Sequence, residues 1–206
     1  MVYNQFTLDR VRADFGIKVE TRRNLYRHIP PVAPDPVVAT IIDRYRGLAV
    51  AIGTEKAKSE MMISPLLGEV WRIGADRVAL FSGVQFPVDA AAELTGVCDF
   101  ILGHPPQLDT VSAPVMMITE AKNDSVMGGL GQCAAAMVAA QRFNRGRNPD
   151  VTTIYGCVSN GLDWKFLRLD GTTLTIDLDD YVIHEPGRIL GIILHFVGLA
   201  PLPAAA

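Results

Sequence analysis

Three charged side chains stand where an uncharged core strand would be expected. Asp99 lies inside the apolar run 97–102, and Glu120 and Lys122 follow a second apolar run, 115–119. An isolated buried carboxylate or ammonium is costly unless it is paired or bound to a metal, so these charges require a common explanation. Residues i and i+2 of a strand project from one face about 7 Å apart. Glu120 and Lys122 are therefore expected to point the same way.

Two carboxylates beside one ammonium can support metal-assisted hydrolysis. If the two apolar runs pair as a hairpin across the loop 104–113, Asp99 comes opposite Glu120, provided that the register allows it. Carboxylate oxygens suit hard cations, Mg2+ or Mn2+, which keep waters and a substrate phosphate as their other ligands. Such an ion would polarise the phosphate and lower the pKa of a bound water, while Lys122 would orient that water or stabilise developing charge.

The surrounding sequence predicts an α/β domain with a mixed sheet. Hydrophobic spacing and stop signals indicate a helix, three strands, an alanine-rich helix, a strand, a hairpin and a final helix. The strand after the alanine-rich helix follows a crossover, so it should run parallel to an earlier strand. The predicted helices are 7–15, 37–52, 55–72, 126–143 and 187–198, and the predicted strands are 78–86, 97–102, 115–119, 151–158, 164–169 and 174–178. Pro65 is expected to kink its helix.

In this order the features resemble the PD-(D/E)xK nuclease superfamily, the restriction-endonuclease-like fold. The matching pieces are an acidic residue on the first core helix, Glu60, then Asp99 on the second core strand, Glu120-Ala121-Lys122 on the third, and Gln132 near the start of the next helix. The resemblance covers about residues 54–158. It implies an αβββαβ core, to which this chain would add an N-terminal helical arm and a C-terminal hairpin plus helix.

The resemblance also implies an activity and the residues that perform it. Asp99 and Glu120 would be metal ligands, Lys122 the catalytic amine, and Gln132 a residue lining the site. The implied cofactor is Mg2+ or Mn2+. The implied reaction is hydrolysis of phosphodiester bonds in nucleic acid by an endonuclease, with DNA favoured over RNA as the substrate. Cys98 stands where the family has a proline, a departure that removes no chemical group from the site.

The resemblance implies a further metal ligand from the first helix, and three acidic residues compete for this role. Glu60 shares its helix face with the apolar residues three, seven and ten positions later, so it is expected to face inward. Glu69 should point further round the helix, and Glu55 lies at its start. Glu60 is therefore the predicted metal ligand.

The chain is divided by its prolines into an arm, 1–36, and a single domain, 37–206. Residues 1–50 carry eight basic against five acidic residues, which suggests that the arm contacts phosphates. The overall formal charge is -3, so an anionic polymer would have to meet a local basic patch. The start of the chain has no pattern of a secretory signal, and the stretch 189–197 is too short to cross a bilayer.

The three cysteines form no C-x-x-C pair, which favours reduced thiols in the cytoplasm. The last helix carries an apolar stripe, Ile189, Ile192, Ile193 and Phe196, which predicts a homodimer. Three other interpretations stay open. Glu120 and Lys122 could form an ordinary ion pair, the domain could be a non-catalytic binding or assembly module, or Lys122 could form a Schiff base.

Overall fold

The computed structural model describes residues 3–104, 110–148 and 150–199. Within these residues the chain has a mixed α/β fold, an open mixed sheet of eight strands flanked by helices. The strands are β1 Lys18–Arg23, β2 Ala79–Gln85, β3 Val97–Gly103, β4 Val115–Ala121, β5 Thr153–Ser159, β6 Asp163–Asp170, β7 Thr173–Asp177 and β8 Tyr181–Val182. The helices are α1 Leu8–Phe15, α2 Pro36–Ile52, α3 Glu55–Lys58, α4 Ser64–Gly74, α5 Leu130–Arg145 and α6 Pro186–Phe196, with a π turn over Ser59–Ile63 and 3-10 turns over Tyr3–Gln5, Ala75–Arg77 and Val126–Gly129.

The strand order across the sheet is β1-β7-β6-β5-β4-β3-β2, with β8 paired to β6. β4 and β5 run parallel, as do β1 and β7, and the other neighbours are antiparallel. The predicted order of a helix, three strands, a helix and a strand is confirmed between residues 55 and 159. The hairpin of β6 and β7 turns, as predicted, at Gly171, whose φ of 57° favours glycine.

Both faces of the sheet are buried, which explains why its central strands are nearly continuous apolar runs. α1 and α5 cover one face, and α4 and α6 cover the other. α5 can approach the sheet closely because the segment 133–140, in which five of the eight residues are alanine, is buried against β4 and β5. Gly156 of β5 lies directly beneath Cys133 and Met137, where a Cβ would collide with both sulfur atoms.

Local signals in the sequence set the start of the first core helix. α2 is capped at its N-terminus by Asp35 and ends at Gly53, which adopts the left-handed conformation with φ 70°. Thr54 then accepts a hydrogen bond from the backbone N–H of Ala57, which caps α3. This stop and restart places Glu55 as the first residue of the next helix.

The residues predicted as an N-terminal arm pack into the same fold. Tyr3, Phe6 and Val11 are buried in the cluster that α5 covers, and β1 extends the sheet by pairing with β7. β1 had no signal in the sequence, because its residues are mostly polar and its partner strand comes near the other end of the chain.

The C-terminal apolar stripe is covered by the chain itself. Ile189, Ile192, Ile193 and Phe196 have at most 1% of their surface exposed. α6 packs on α4, and the Phe196 ring contacts Tyr26, with ring centroids 4.8 Å apart. The predicted homodimer therefore lacks the surface on which the prediction depended. Among the described residues, no helix combines the length and hydrophobicity needed to cross a membrane.

Candidate active site

The antiparallel pairing of β3 with β4 brings two distant carboxylates together. The register pairs Phe100 with Thr119, and its continuation by one residue sets Asp99 opposite Glu120. Asp99 Oδ2 also accepts a hydrogen bond of 2.7 Å from the backbone N–H of Ala121. The condition on the hairpin register is therefore met.

Glu120 is the buried member of this pair, with none of its surface exposed. Its Oε2 accepts a hydrogen bond of 2.5 Å from Gln132 Nε2. Its Oε1 is buried and has no hydrogen-bond donor within the described chain. Burial raises the pKa of Glu120 well above its ordinary value, the nearby charge of Asp99 raises the pKa further, and Lys122 opposes the shift. Glu120 thus has a free oxygen that requires a proton or a cation.

The carboxyl groups of Asp99 and Glu120 are close enough to share a hydrogen bond, which requires one of them to keep a proton. A divalent cation bound by the two groups would replace that proton and give Glu120 Oε1 its missing partner. Mg2+ and Mn2+ fit such a site, because oxygen ligands suit them and one or two carboxylates suffice. Three or more acidic, histidine or cysteine side chains do not converge as a metal-binding group in the described ranges. Water and substrate would have to complete the coordination.

Lys122 and Gln132 flank the two carboxylates. The backbone N–H of Lys122 donates a 2.8 Å hydrogen bond to Ser159, which ties the end of β4 to the end of β5. The Lys122 stem runs beside Gly129, where a Cβ would stand 2.9 Å from Lys122 Cγ. Over the described part of the chain, Lys122 forms no ion pair. Its ammonium group is therefore available to a ligand.

Two adjoining pockets open at this end of the sheet. The first, the catalytic pocket, has a volume of about 220 Å³ and is lined by Tyr3, Asn4, Glu55, Gly96, Val97, Asp99, Lys122 and Gln132. The second, the side pocket, has about 150 Å³ and is lined by Glu55, Lys56, Ser59, Ser82, Gly83, Asp99 and Ala121. Asp99 and Glu55 belong to both. Asp99, Lys122 and Gln132 of the predicted set thus share one pocket, and Glu120 is buried behind them.

The expectation that Glu60 faces inward is wrong. Glu60 is exposed, and its Oε1 lies 2.9 Å from Lys56 Nζ in a surface ion pair. The cause is the π turn, in which the N–H of Ser64 donates to the carbonyl of Ser59, five residues earlier. Pro65 follows directly and has no N–H to donate, so the α-helical series of hydrogen bonds is interrupted at this point. The extra residue in this turn rotates the residues before it away from their α-helical faces.

Glu55 is the helix carboxylate that does reach the site, since it lines both pockets. Glu69 is buried elsewhere, where it accepts hydrogen bonds from Arg72 and from the backbone N–H of Asp35. The hydrogen bonds from Arg72 lower the pKa of Glu69. Glu69 therefore holds α2 to α4 and lies outside both pockets.

Sequence reasoning missed one wall of the catalytic pocket. Tyr3 and Asn4 supply it from the N-terminal 3-10 turn, and Gly96 and Val97 line the pocket at the start of β3. Nothing in the sequence near Tyr3 indicates a site, because its position depends on packing against α5. Gly96 carried a weak signal, since a glycine just before a strand often permits a close approach.

No protein-family model and no curated protein matches this chain.

Proposed function

We propose that this protein is a metal-dependent phosphodiester hydrolase with a restriction-endonuclease-like fold, acting on nucleic acid and preferentially on DNA. The observation that carries the proposal is the buried Glu120 oxygen without a donor, beside Asp99 and behind a pocket that Lys122 lines. A solvated ion pair would not bury a carboxylate in this way.

Each residue has a distinct task in this proposal. Asp99 and Glu120 would hold Mg2+ or Mn2+, which when bound supplies charge neutralisation and a more acidic water. Gln132 fixes the Glu120 carboxyl group through its 2.5 Å hydrogen bond. The Lys122 ammonium orients the attacking water or stabilises charge that develops on the phosphate. Glu55, at the mouth of the pocket, is the helix carboxylate in place of Glu60.

The order and direction of the strands in the mixed sheet support the proposed restriction-endonuclease-like fold. A helix is followed by three antiparallel strands, a crossover helix and a strand parallel to the third, which is the αβββαβ order of the nuclease core. The carboxylates lie on the second and third of these strands. The order of the helices and strands and the positions of the acidic residues therefore support the same fold assignment.

The test is cleavage of plasmid and oligonucleotide DNA with Mg2+ or Mn2+. We expect Asp99→Ala and Lys122→Ala to abolish cleavage, and Glu55→Ala to reduce it by about tenfold or more. Glu60→Ala is the matched control, because it removes a carboxylate from the same helical segment outside both pockets. Unchanged cleavage by both Asp99→Ala and Lys122→Ala would reject the proposal.

A non-catalytic binding or assembly module is the second candidate. In the described part of the chain, no three acidic, histidine or cysteine side chains cluster closely enough to hold a metal ion, which favours this candidate. Calorimetry with Mn2+ separates the two candidates. Heat of binding that is lost in Asp99→Asn supports the enzyme, whereas no binding by the wild-type protein supports the module.

A further inference from the structure

The catalytic pocket and the side pocket share Asp99 and Glu55, and together they form one cleft. Their volumes are about 220 and 150 Å³, and Glu120 behind them has no exposed surface. A phosphate can reach these carboxylates only by entering the cleft. An unpaired strand can bend its backbone freely into such a space, whereas a duplex must be bent away from its regular helical path, which costs deformation energy.

The wall formed by the N-terminal turn narrows the cleft and is firmly packed. Tyr3 is buried, and its hydroxyl donates a 2.8 Å hydrogen bond to the carbonyl of Phe86. Two glycines permit the close fit. A Cβ on Gly96 would stand 2.9 Å from the Tyr3 ring, and Gly131 lies directly against the backbone of the N-terminal segment. Asn4 is thereby held at the edge of the catalytic pocket.

Among the described residues beside the cleft, most of the basic side chains already have partners. Proteins that hold a duplex by its backbone commonly contact about six to ten phosphates. On the helix beside the cleft, Lys56 pairs with Glu60, and the Lys58 ammonium donates to the carbonyl of Asn123. Lys122 remains as an unpaired cation that lines the catalytic pocket. These charges suit one or two phosphates better than a duplex.

The described residues of the predicted phosphate-contacting arm add little unpaired positive charge beside the cleft. Its strand β1 lies at the opposite edge of the sheet from β2 and β3. Four of its arginines are paired with carboxylates: Arg10 with Asp14 and Glu93, Arg12 with Asp9, Arg23 with Glu20, and Arg27 with Asp179. The surface of this segment is therefore largely neutralised at those positions.

We infer that the cleft accepts a single unpaired nucleic-acid strand or strand end, and not the interior of a duplex. This inference rests on the proposed function. The scissile phosphate enters the catalytic pocket beside Lys122, and an adjacent phosphate occupies the side pocket. There it meets the hydroxyl groups of Ser59 and Ser82 and the ammonium group of Lys56, which exchanges its partner Glu60 for the strand.

The test compares three labelled substrates of one sequence with Mn2+: a single strand, its blunt duplex, and the duplex with a single-stranded overhang. We expect kcat/KM for the single strand and for the overhang to exceed that for the duplex by about tenfold or more. Equal or faster cleavage in the duplex interior overturns the inference while the proposed function stands. Cleavage of none of the three overturns both.

Two pairs of variants examine the contacts. Lys56→Ala should reduce the salt slope of single-strand kcat/KM by about 0.7, the value for one phosphate of a single strand, and Lys18→Ala on the far edge strand should leave it unchanged. Asn4→Ala should raise KM for the single strand, whereas Gln5→Ala, next to it but outside both pockets, should not. If Lys56→Ala leaves the salt slope unchanged, Lys56 does not contact a phosphate, and the placement of a phosphate in the side pocket is overturned.

Discussion

Replacement of Glu120 by glutamine should stabilise the metal-free protein at neutral pH and abolish its response to metal. The amide has nearly the shape of the carboxyl group. Its oxygen can accept the hydrogen bond from Gln132 Nε2, and its NH2 group can donate to the Asp99 carboxylate. The variant therefore keeps the hydrogen bonds of protonated Glu120 without any dependence on a proton.

The sign of the pH effect follows from the direction of the Glu120 shift. Burial and the charge of Asp99 raise the pKa of Glu120 in the folded protein above its ordinary value of 4.5. Between the ordinary and the folded pKa, the folded state keeps the proton and the unfolded state has lost it. The contribution of Glu120 to stability is therefore greatest below the ordinary pKa and is lost as pH rises through this window.

The magnitude follows from the linkage between proton binding and unfolding. Within the window, one retained proton changes the free energy of unfolding by about 1.4 kcal/mol for each pH unit. For a chain of this length, that corresponds to a change in Tm of about 3–6 °C per pH unit. The glutamine variant should lack this slope, because its amide does not titrate.

The assay is urea unfolding of the wild-type protein and of Glu120→Gln in EDTA at several pH values between 5 and 8. The stability difference between the two proteins should widen in favour of the variant as pH rises. Millimolar Mn2+ in place of EDTA should stabilise the wild type but not Glu120→Gln, by about 2.7 kcal/mol at one hundred times Kd. Glu60→Gln, on the exposed surface, should follow the wild type. Parallel stability curves for the wild type and Glu120→Gln would refute the reasoning.

Two further predictions concern packing. Gly131→Ala should lower the free energy of unfolding by about 1–3 kcal/mol, measured by thermal or urea unfolding, because the new Cβ would stand 2.6 Å from the Thr7 Cα. Gly128→Ala is the control and should be tolerated, since a Cβ at Gly128 meets no atom within 4 Å. Equal stability of the two variants would contradict the close approach of Gly131 to the N-terminal segment. Ile193→Ala should lower the free energy of unfolding by about 2–5 kcal/mol without changing the oligomeric state in sedimentation, because Ile193 is fully buried within the chain. Ile52→Ala is the control, since its side chain is 48% exposed and its loss should have little effect on stability. Dissociation of a dimer by Ile193→Ala would contradict the burial of this helix face within one chain.

Most of the central sheet can be predicted from the sequence, because strands covered on both faces are marked by continuous apolar runs and glycine turns. The hairpin at Gly171 and the strands β3 and β4 are of this kind. β1 could not be predicted, since an edge strand with mostly polar residues has no such signal and its pairing with β7 spans nearly the whole chain. Another long-range contact, the packing of the N-terminal turn against α5, carries Tyr3 into the catalytic pocket.

The site shows where reasoning from spacing holds and where it fails. The approach of Asp99 to Glu120 depends on the register of one hairpin, and a strand period of two residues is regular enough to extend over that distance. The choice of Glu60 depended on a helical period maintained across Pro65. The π turn before the proline takes an extra residue, so the helical period on which that choice depended is interrupted between Glu60 and Ile63. Glu60 lies inside the π turn and points to solvent, whereas Glu55, the acidic residue ahead of the turn, lines both pockets.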